Sequence, residues 1–283
     1  MLVSTGEMLK DAREGGYGVG AFNVENLEFV MAVLAAAEET RSPVIMQTTP
    51  GTVRYAGLDY FHAMVAAAAE RASVPVALHL DHGDSFELCM QAMRTGYTSV
   101  MIDGSHVPFE QNIEVTAPVC RAGAAMGVPV EAELGRVGGK EDDGPAVEGA
   151  SAFTDPDEAV EFVERTGCTS LAIGVGTAHG VYTSTPHVQQ DVVRAIAGRV
   201  DVPLVLHGTS GVPDEQVAEA VRNGISKVNY ATELRQAFTR GCLGYMEGHP
   251  GTFDPKKPAR EGMAEITRVV AMRMENLGCT GRA

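Results

Sequence analysis

Three histidines of the sequence follow short apolar runs and are candidates for a shared metal site. His82, His179 and His207 each lie at the end of such a run or in the loop after it. If the runs are parallel strands of one barrel, their carboxyl ends meet at one face, and three imidazoles there suit a catalytic Zn²⁺ with a fourth position left open. One such histidine is more often a hydrogen-bonded structural residue, but three at the same face favour the metal interpretation.

Asp81 directly precedes His82 and is a candidate catalytic residue. Successive side chains of a strand point to opposite faces, so Asp81 and His82 can both face the site only if the strand ends there. Gly83 favours such an end. The alternative role for Asp81 is to cap the following helix, but Asp84 or Ser85 is better placed to do so.

Two glycine-rich segments are candidates for phosphate binding. Residues 174–180 and 207–211 follow the predicted sixth and seventh strands. Glycines expose backbone N–H groups, and hydroxyls and a nearby helix N-terminus add further donors. A glycine-rich turn alone is weak evidence, but these two segments contain His179 and His207, and phosphate sites are common at this face of a barrel.

The elements that must position these groups alternate along the chain between apolar runs and segments of helical period. The candidate strands are 18–22, 44–47, 76–80, 99–102, 128–133, 170–174, 204–207 and 227–230. Helical patterns cover segments such as 26–41, 155–166 and 213–223. The alternation predicts an α/β protein with a single (β/α)₈ TIM barrel and an extra C-terminal helix. A doubly wound open sheet is the rival, but it usually has fewer strands and a glycine-rich loop after the first strand, which this chain lacks.

We expect residues 1–283 to form one (β/α)₈ barrel domain, because such barrels run about 250 residues. A glycine-rich, charged segment at about 135–151 is predicted to be a mobile loop over the site. A helical extension is predicted at about 248–283, with its helix near 260–277 and frayed residues after it.

The net charge disfavours some classes of binding partner, and the cysteine content indicates the cellular compartment. Lys plus Arg number 22 against 37 Asp plus Glu, a net charge of −15 without a basic run, which disfavours binding to nucleic acid or to an anionic membrane. Five widely spaced cysteines indicate reduced thiols. Because no signal sequence and no apolar run of about 20 residues is recognisable, we expect a cytoplasmic protein.

Six motifs occur in order through nearly the whole chain. They are Ala21-Phe22-Asn23; Leu80-Asp81-His82-Gly83; Glu131-Ala132-Glu133-Leu134-Gly135 with Gly138-Gly139-Lys140-Glu141-Asp142; Gly176-Thr177-Ala178-His179-Gly180; His207-Gly208-Thr209-Ser210-Gly211; and Lys227-Val228-Asn229-Tyr230-Ala231-Thr232-Glu233. Together they resemble the class II, zinc-dependent ketose-bisphosphate aldolases (the fructose- and tagatose-bisphosphate aldolases), and more closely the tagatose-type group.

The resemblance implies a metal-dependent aldolase, a lyase that reversibly cleaves a ketose 1,6-bisphosphate, tagatose or fructose, to dihydroxyacetone phosphate and glyceraldehyde 3-phosphate. His82, His179 and His207 match its zinc ligands. Asp81 matches the acid/base at the aldehyde oxygen, and Glu141 matches a loop carboxylate that moves the C3 proton.

The resemblance also implies further metal-site and substrate-binding residues. Asp103 and Glu133 match positions of an alternative, more buried metal site. The substrate-binding set comprises Asn23, Thr49, Gly180, Gly208, Thr209, Ser210, Gly211, Asn229, Ala231, Thr232 and Arg260. Relatives often hold a monovalent cation, Na⁺ or K⁺, near the phosphate. Arg260 looks like an arginine that in relatives reaches the far phosphate of a neighbouring subunit, so we expect a homodimer or homotetramer.

More than one substrate and more than one mechanism are compatible with these residues. Fructose-specific members tend to have Asp or Asn where this chain has Ala231, and many relatives have Ser in place of Thr49. The pattern therefore also fits an aldolase for 6-phospho-5-dehydro-2-deoxygluconate in inositol catabolism. A non-catalytic sugar-phosphate-binding accessory subunit and a metal-dependent hydrolase are two further hypotheses. Lys227 is a candidate Schiff-base lysine, but packing or charge balance explains it equally well and the resemblance favours metal chemistry.

Overall fold

The computed structural model describes residues 2–139, 153–180, 182 and 185–283, and its centre is a closed barrel of eight parallel strands. The strands of the described residues are β1 Val19–Asn23, β2 Val44–Thr48, β3 Val76–Gly83, β4 Ser99–Ile102, β5 Val130–Leu134, β6 Gly138–Gly139, β7 Ser170–Ile173, β8 Ala178–His179, β9 Leu204–Leu206 and β10 Ile225–Tyr230. All except β6 and β8 belong to the barrel, in the order β1, β10, β9, β7, β5, β4, β3 and β2, and pairing of β1 with β10 closes it. The predicted barrel is confirmed.

Helices alternate with the barrel strands and cover them. They are α1 Thr5–Gly15, α2 Leu27–Thr40, α3 Pro50–Ala56, α4 Leu58–Arg71, α5 Phe86–Thr95, α6 Phe109–Met126, α7 Pro156–Thr166, α8 Gln190–Ala197, α9 Asp214–Arg222, α10 Thr232–Gly248 and α11 Lys256–Asn276. The strands are buried on both faces, as expected for a parallel sheet enclosed by helices. No described helix is long and apolar enough to span a membrane.

Local sequence signals set the helix boundaries. Asn26 caps α2 by accepting a hydrogen bond from the Phe29 N–H. Asp155 caps α7 in the same way and Pro156 occupies its first turn, whereas Gly167 ends α7 in the left-handed conformation that glycine adopts without strain. The helices predicted at 26–41 and 155–166 therefore agree with α2 and α7 together with their caps.

The C-terminal part of the chain follows the predicted extension with one correction. The helix α11 is the extra helix, and it packs on α10 and α2. It begins four residues before the predicted start at residue 260. The predicted fraying after it is wrong, because Cys279 is fully buried and the backbone N–H groups of Gly281 and Ala283 donate to carbonyls at the end of α2.

Two features above the barrel affect the site. The short strands β6 and β8 pair in parallel and form a small second sheet. Strand β6 lies in the segment predicted as a mobile loop at about 135–151, but residues 140–151 of that prediction lie outside the described residues. Helix α3 follows β2 directly, so the connection between β2 and β3 contains two helices, where a single crossover helix is usual.

Candidate active site

A cleft of about 300 Å³ at the carboxyl end of the barrel strands collects most of the predicted site residues. Its lining comes from the ends of β1, β3 and β10 and from the segments after β7, β9 and β10, which converge at this face of the barrel. The lining residues are Asn23, Asp81, His82, His179, Gly180, Gly208, Thr209, Ser210, Asn229, Ala231 and Thr232. Each of these residues is a candidate from the sequence.

The backbone at His82 explains how two consecutive side chains both face the cleft. Strand β3 continues to Gly83, beyond its predicted end at Leu80, but its pairing with β4 shifts register between Leu80 and Gly83. His82 adopts a φ of 47°, the left-handed conformation that is unusual for a residue other than glycine. The turn at His82 breaks the alternation of the strand, so Asp81 and His82 both line the cleft although the strand does not end before them.

Gly83 is required by the packing behind this turn. A Cβ added at Gly83 would lie 2.3 Å from the carbonyl oxygen of Met101 and 2.9 Å from the Cys89 sulfur. Ser85, not Asp81, caps helix α5 by accepting from the Leu88 N–H, as the sequence predicted. Asp81 is therefore available for another role.

The three histidines come together at this face. Ring centroids lie 4.9 Å apart for His82 and His179, 4.7 Å for His82 and His207, and 5.9 Å for His179 and His207. Each offers one ligand atom within a group whose atoms all lie within 4.8 Å of one another. Such a donor set fits Zn²⁺ or a similar metal ion.

Carboxylates behind two of these rings determine which nitrogen is available for a metal. His82 Nδ1 lies 2.8 Å from an oxygen of Asp103, and His207 Nε2 lies 2.9 Å from an oxygen of Glu131. These contacts indicate His82 Nε2 and His207 Nδ1 as the nitrogens for a metal, and Glu133 also lies 3.1 Å from His207 Nδ1. Carboxylate–histidine pairs of this type orient metal ligands and increase their basicity. The residues present therefore fit a metal ion.

The electrostatics of the cluster also fit a cation. Burial and the neighbouring His82 and His207 charges lower the pKa of His179 well below its usual value, which favours the neutral, ligating form. Burial opposes a charge on His207 as well, but hydrogen bonds to Glu131 and Glu133 raise its pKa to about 9. The two glutamates thus stabilise positive charge at this position.

Asp103 and Glu133 contact two different histidines of the cluster, His82 and His207. Asp103 holds His82 and also accepts from the Ser105 N–H, and an oxygen of Glu133 lies 3.1 Å from His207 Nδ1. Together with His82 they form a second group with metal-binding geometry. Their placement fits the alternative metal position that the resemblance implies.

Each carboxylate oxygen of Asp81 accepts a hydrogen bond from a side-chain amide. Gln47 Nε2 donates to Asp81 Oδ2 at 2.9 Å, and Asn229 Nδ2 donates to Asp81 Oδ1 at 3.0 Å. Gln47 Nε2 also donates to Asn23 Oδ1 at 2.8 Å. Burial raises the pKa of Asp81, but the charges of His82 and Lys227 hold that pKa below its usual range, so the carboxylate stays ionised.

Gln47 is a site residue for which the sequence predicted no role. It is fully buried at the end of β2, and strand-end position was the only available signal. Asn23 Nδ2, Gln47 Oε1 and Asn229 Oδ1 are buried without a hydrogen-bond partner in the described residues. An unpaired buried polar group is costly, so these atoms are expected to bind substrate or water.

Lys227 lies below the cleft in a buried charge network. Its Nζ lies 2.8 Å from Glu131 Oε2, and both side chains are nearly inaccessible to solvent. Burial opposes ionisation of Glu131, but Lys227 and His207 hold the pKa of Glu131 well below its usual range. Burial and the Lys227 charge lower the pKa of His79 to about 3, so His79 is neutral. The ion pair supports the charge-balance interpretation of Lys227.

The glycine-rich loops next to the histidines are in direct contact. Gly208 has a φ of 64°, and a Cβ there would lie 2.6 Å from the backbone of Ala178. Gly180, Thr209 and Ser210 line the cleft, and the Thr209 hydroxyl donates to the Asn229 carbonyl. Helix α10 begins at Thr232 on the same side, so backbone donors and a helix N-terminus converge where an anion is expected.

Six described site candidates are not among the lining residues of the cleft. His207, Asp103 and Glu133 belong to the carboxylate–histidine cluster that includes His82. Thr49 caps α3 and contacts the Thr52 hydroxyl, Gly211 lies next to the Tyr182 ring, and Arg260 is exposed on α11. Glu141 lies outside the described residues. Arg260 therefore does not complete the cleft of its own chain.

A family model agrees with the site. The model for "Fructose-bisphosphate aldolase class-II" matches residues 3–282. This chain belongs to that family. The aldolase is therefore a lyase of a metal-dependent family, and its histidine cluster is a possible site for the metal.

Known proteins resemble this aldolase over its full length. A fructose-bisphosphate aldolase of Thermus caldophilus is 44% identical over 100% of both chains. The crystal structure of the YdjI aldolase of Escherichia coli K12 has a TM-score of 0.89 and 38% identity, covering 100% of each chain. A fructose-bisphosphate aldolase structure from Campylobacter jejuni has a TM-score of 0.84 at 22% identity, covering 100% of this chain and 97% of that one, and shows the shared fold.

Proposed function

We propose that this aldolase uses Zn²⁺ and reversibly cleaves a ketose 1,6-bisphosphate to dihydroxyacetone phosphate and glyceraldehyde 3-phosphate. The observation that carries the proposal is the histidine cluster, of which His82 and His179 share one cleft with a buried, ionised Asp81 and with the glycine-rich loops. This reaction needs three kinds of group: a Lewis acid, an acid/base for proton transfer, and a loop that binds the phosphate anion.

His82, His179 and His207 would hold the zinc ion. When bound, zinc supplies Lewis-acid polarisation of the substrate carbonyl, which makes C3 able to accept an electron pair. Asp103 and Glu131 hold the rings of His82 and His207 in place for this role. Asp103 and Glu133 are proposed as ligands of an alternative position for the same ion.

Asp81 performs the proton transfer at the C4 oxygen. In cleavage its carboxylate takes the C4 hydroxyl proton, the C3–C4 bond breaks, the C4 oxygen becomes the aldehyde and the electron pair stays on C3. In condensation Asp81 returns the proton to the aldehyde oxygen. Gln47 and Asn229 fix both carboxylate oxygens, so Asp81 has one orientation throughout. The proton at C3 is assigned to Glu141, on the family resemblance.

Backbone and hydroxyl donors of the cleft are proposed to bind the phosphate of dihydroxyacetone phosphate. These donors come from Gly180, Gly208, Ser210 and the start of α10 at Thr232. A monovalent cation, Na⁺ or K⁺, is proposed to lie beside this phosphate. Because these donors are local, the net charge of −15 does not prevent a bisphosphate from binding.

The remaining substrate-binding roles are proposed on the same basis. Asn23 and Asn229 supply amide atoms for the substrate hydroxyls, Thr209 and Gly211 shape the phosphate loop, and Thr49 supports the mouth of the cleft from α3. Arg260 is proposed to act on the far phosphate of a neighbouring subunit, which requires a homodimer or homotetramer. Light scattering on the purified protein tests that assembly.

Ala231 supports tagatose 1,6-bisphosphate as the preferred substrate over fructose 1,6-bisphosphate. It lines the cleft with a methyl group where fructose-specific relatives tend to have a side chain with polar oxygen atoms. A methyl group cannot accept a hydrogen bond from a sugar hydroxyl, so selection for the fructose configuration is weakened there.

Coupled detection of dihydroxyacetone phosphate tests this function. Purified protein is assayed against fructose, tagatose and sorbose 1,6-bisphosphates and against 6-phospho-5-dehydro-2-deoxygluconate. We expect cleavage of the ketose bisphosphates, fastest for tagatose. Product from 6-phospho-5-dehydro-2-deoxygluconate alone would assign the inositol-catabolic reaction, and no product from any compound would indicate a non-catalytic sugar-phosphate binder.

A further inference from the structure

The metal ligands His179 and His207 lie on two different loops, so the site depends on how those loops are held together. His179 belongs to β8, which lies outside the barrel and pairs with β6 in a separate two-stranded sheet. His207 directly follows the barrel strand β9. The backbones of the two loops touch where Gly208 lies against Ala178.

Tyr182 connects the two loops through one hydroxyl group. That hydroxyl accepts a hydrogen bond from the Ala178 N–H at 2.6 Å and donates one to the Gly208 carbonyl at 2.6 Å. Ala178 precedes His179 and Gly208 follows His207, so each bond is made one residue from a metal ligand. The Tyr182 ring also lies beside Gly211, where an added Cβ would be 3.2 Å from Cδ2. One side chain therefore contacts both ends of the segment 208–211.

The role of Tyr182 is separate from substrate contact. Within the described residues, Tyr182 is not part of the lining of the cleft, whereas Gly180, Gly208 and Ser210 are. The hydroxyl uses its donor and its acceptor capacity at the same time, and phenylalanine can supply neither. Its loss leaves a backbone N–H and a C=O without these partners and frees the two loops to separate.

We propose that Tyr182 is a positioning residue that holds the His179 loop against the 207–211 loop, so that the metal ligands and the phosphate-binding donors form one site. This inference rests on the proposed function and deepens it. It makes metal affinity and phosphate affinity depend on the same hydroxyl group, although that group touches neither ligand.

The test compares Tyr182→Phe with Tyr97→Phe. Tyr97 is a matched control, because its buried hydroxyl makes one hydrogen bond at 2.8 Å, to Thr48, at a position away from both loops. Two dissociation constants are measured on the full chain: that of Zn²⁺ by competition with a chelator, and that of inorganic phosphate by its inhibition of cleavage. Hydrogen exchange of segments 176–180 and 207–211 is measured on the metal-free proteins.

In Tyr182→Phe we expect both dissociation constants to rise about tenfold, which corresponds to about 1.4 kcal/mol and is in the range for the loss of two neutral hydrogen bonds. Exchange in both segments should be faster than in Tyr97→Phe, with thermal unfolding midpoints of the two variants alike. The inference is overturned if either dissociation constant or the exchange of Tyr182→Phe equals that of the parent protein. A failure of the proposed function gives a different result, because the parent protein itself would then bind no zinc. The inference about Tyr182 would fail in that case too.

Discussion

Asn229 and Asp81 are 148 positions apart in the sequence, yet the Asn229 side-chain amide donates a 3.0 Å hydrogen bond to the Asp81 carboxylate. Strand β10 carries Asn229 and strand β3 carries Asp81, so the bond spans the mouth of the barrel. Gln47 on β2 holds the other carboxylate oxygen. The proposed acid/base is thus fixed by barrel strands, whereas most of the proposed phosphate-binding donors lie on loops.

Replacing Asp81 with Ala removes the proposed acid/base without removing a zinc ligand. We expect kcat to fall about 10²- to 10⁴-fold, the usual contribution of a positioned proton-transfer group. Zinc content, measured by atomic emission on the purified variant, should stay at the level of the parent protein. Asp84→Ala is the control, because Asp84 is exposed and its contacts, with Arg54 at 3.5 Å and with the Ser85 hydroxyl at 3.0 Å, lie outside the cleft lining. Near-normal kcat in Asp81→Ala would remove Asp81 from the chemistry.

Asp103 is expected to control zinc affinity through His82. Asp103→Ala removes the carboxylate that lies 2.8 Å from His82 Nδ1, so the ring loses its fixed orientation. We expect zinc affinity to fall about 10- to 100-fold, as for other carboxylates behind metal-bound histidines. Chelator competition measures the effect, with Asp201→Ala, an exposed position, as the control. Equal affinities in the two variants would show that Asp103 does not support the metal site.

Breaking the buried Lys227–Glu131 ion pair is expected to lower the stability of the fold strongly. Lys227→Met leaves the Glu131 carboxylate buried without its cation, and we expect the free energy of unfolding to fall by about 3–5 kcal/mol. The double variant Lys227→Met/Glu131→Gln should recover part of this loss, because the uncompensated charge is gone. Lys10→Met, which breaks an exposed pair with Glu14, should be close to the parent protein in urea denaturation. A loss in Lys227→Met no larger than in Lys10→Met would contradict this expectation.

Two glycines are expected to respond in opposite directions to alanine. Gly83→Ala forces a methyl group to within 2.3 Å of the Met101 carbonyl oxygen and should destabilise the fold by about 1–3 kcal/mol. Gly244 is exposed in α10 with no atom within 4 Å of an added Cβ, so Gly244→Ala should stabilise by about 0.5–1 kcal/mol. Thermal unfolding midpoints of the two variants provide the comparison. Similar shifts for both would mean that the packing behind His82 is looser than these distances indicate.

The barrel and the lining of its cleft could be predicted from the sequence because each strand ends at one face. Once the strands at 76–80 and 204–207 are recognised, parallel topology places Asp81, His82 and His207 together. The supporting contacts could not be predicted in this way. Gln47 reaches Asp81 only because β2 and β3 are neighbours in register, with Gln47 paired to His79.

The end of β3 and the contacts of Tyr182 also could not be predicted from the sequence. The alternation rule requires the strand to end before His82, whereas the structure keeps the strand and turns the backbone at His82 with a φ of 47°. No local pattern signals that conformation in a histidine. Tyr182 follows the His179 motif in the sequence, but its two hydrogen bonds depend on how the β9 loop packs against Ala178.

The most direct test of the central claim measures release of dihydroxyacetone phosphate after metal removal. Protein treated with EDTA and dialysed is assayed with its preferred ketose bisphosphate, then assayed again after addition of one equivalent of Zn²⁺. We expect cleavage to be lost on chelation and to return with zinc, and borohydride to trap no substrate on Lys227. Undiminished cleavage by the metal-free protein, or a borohydride adduct at Lys227, would contradict the proposed zinc mechanism.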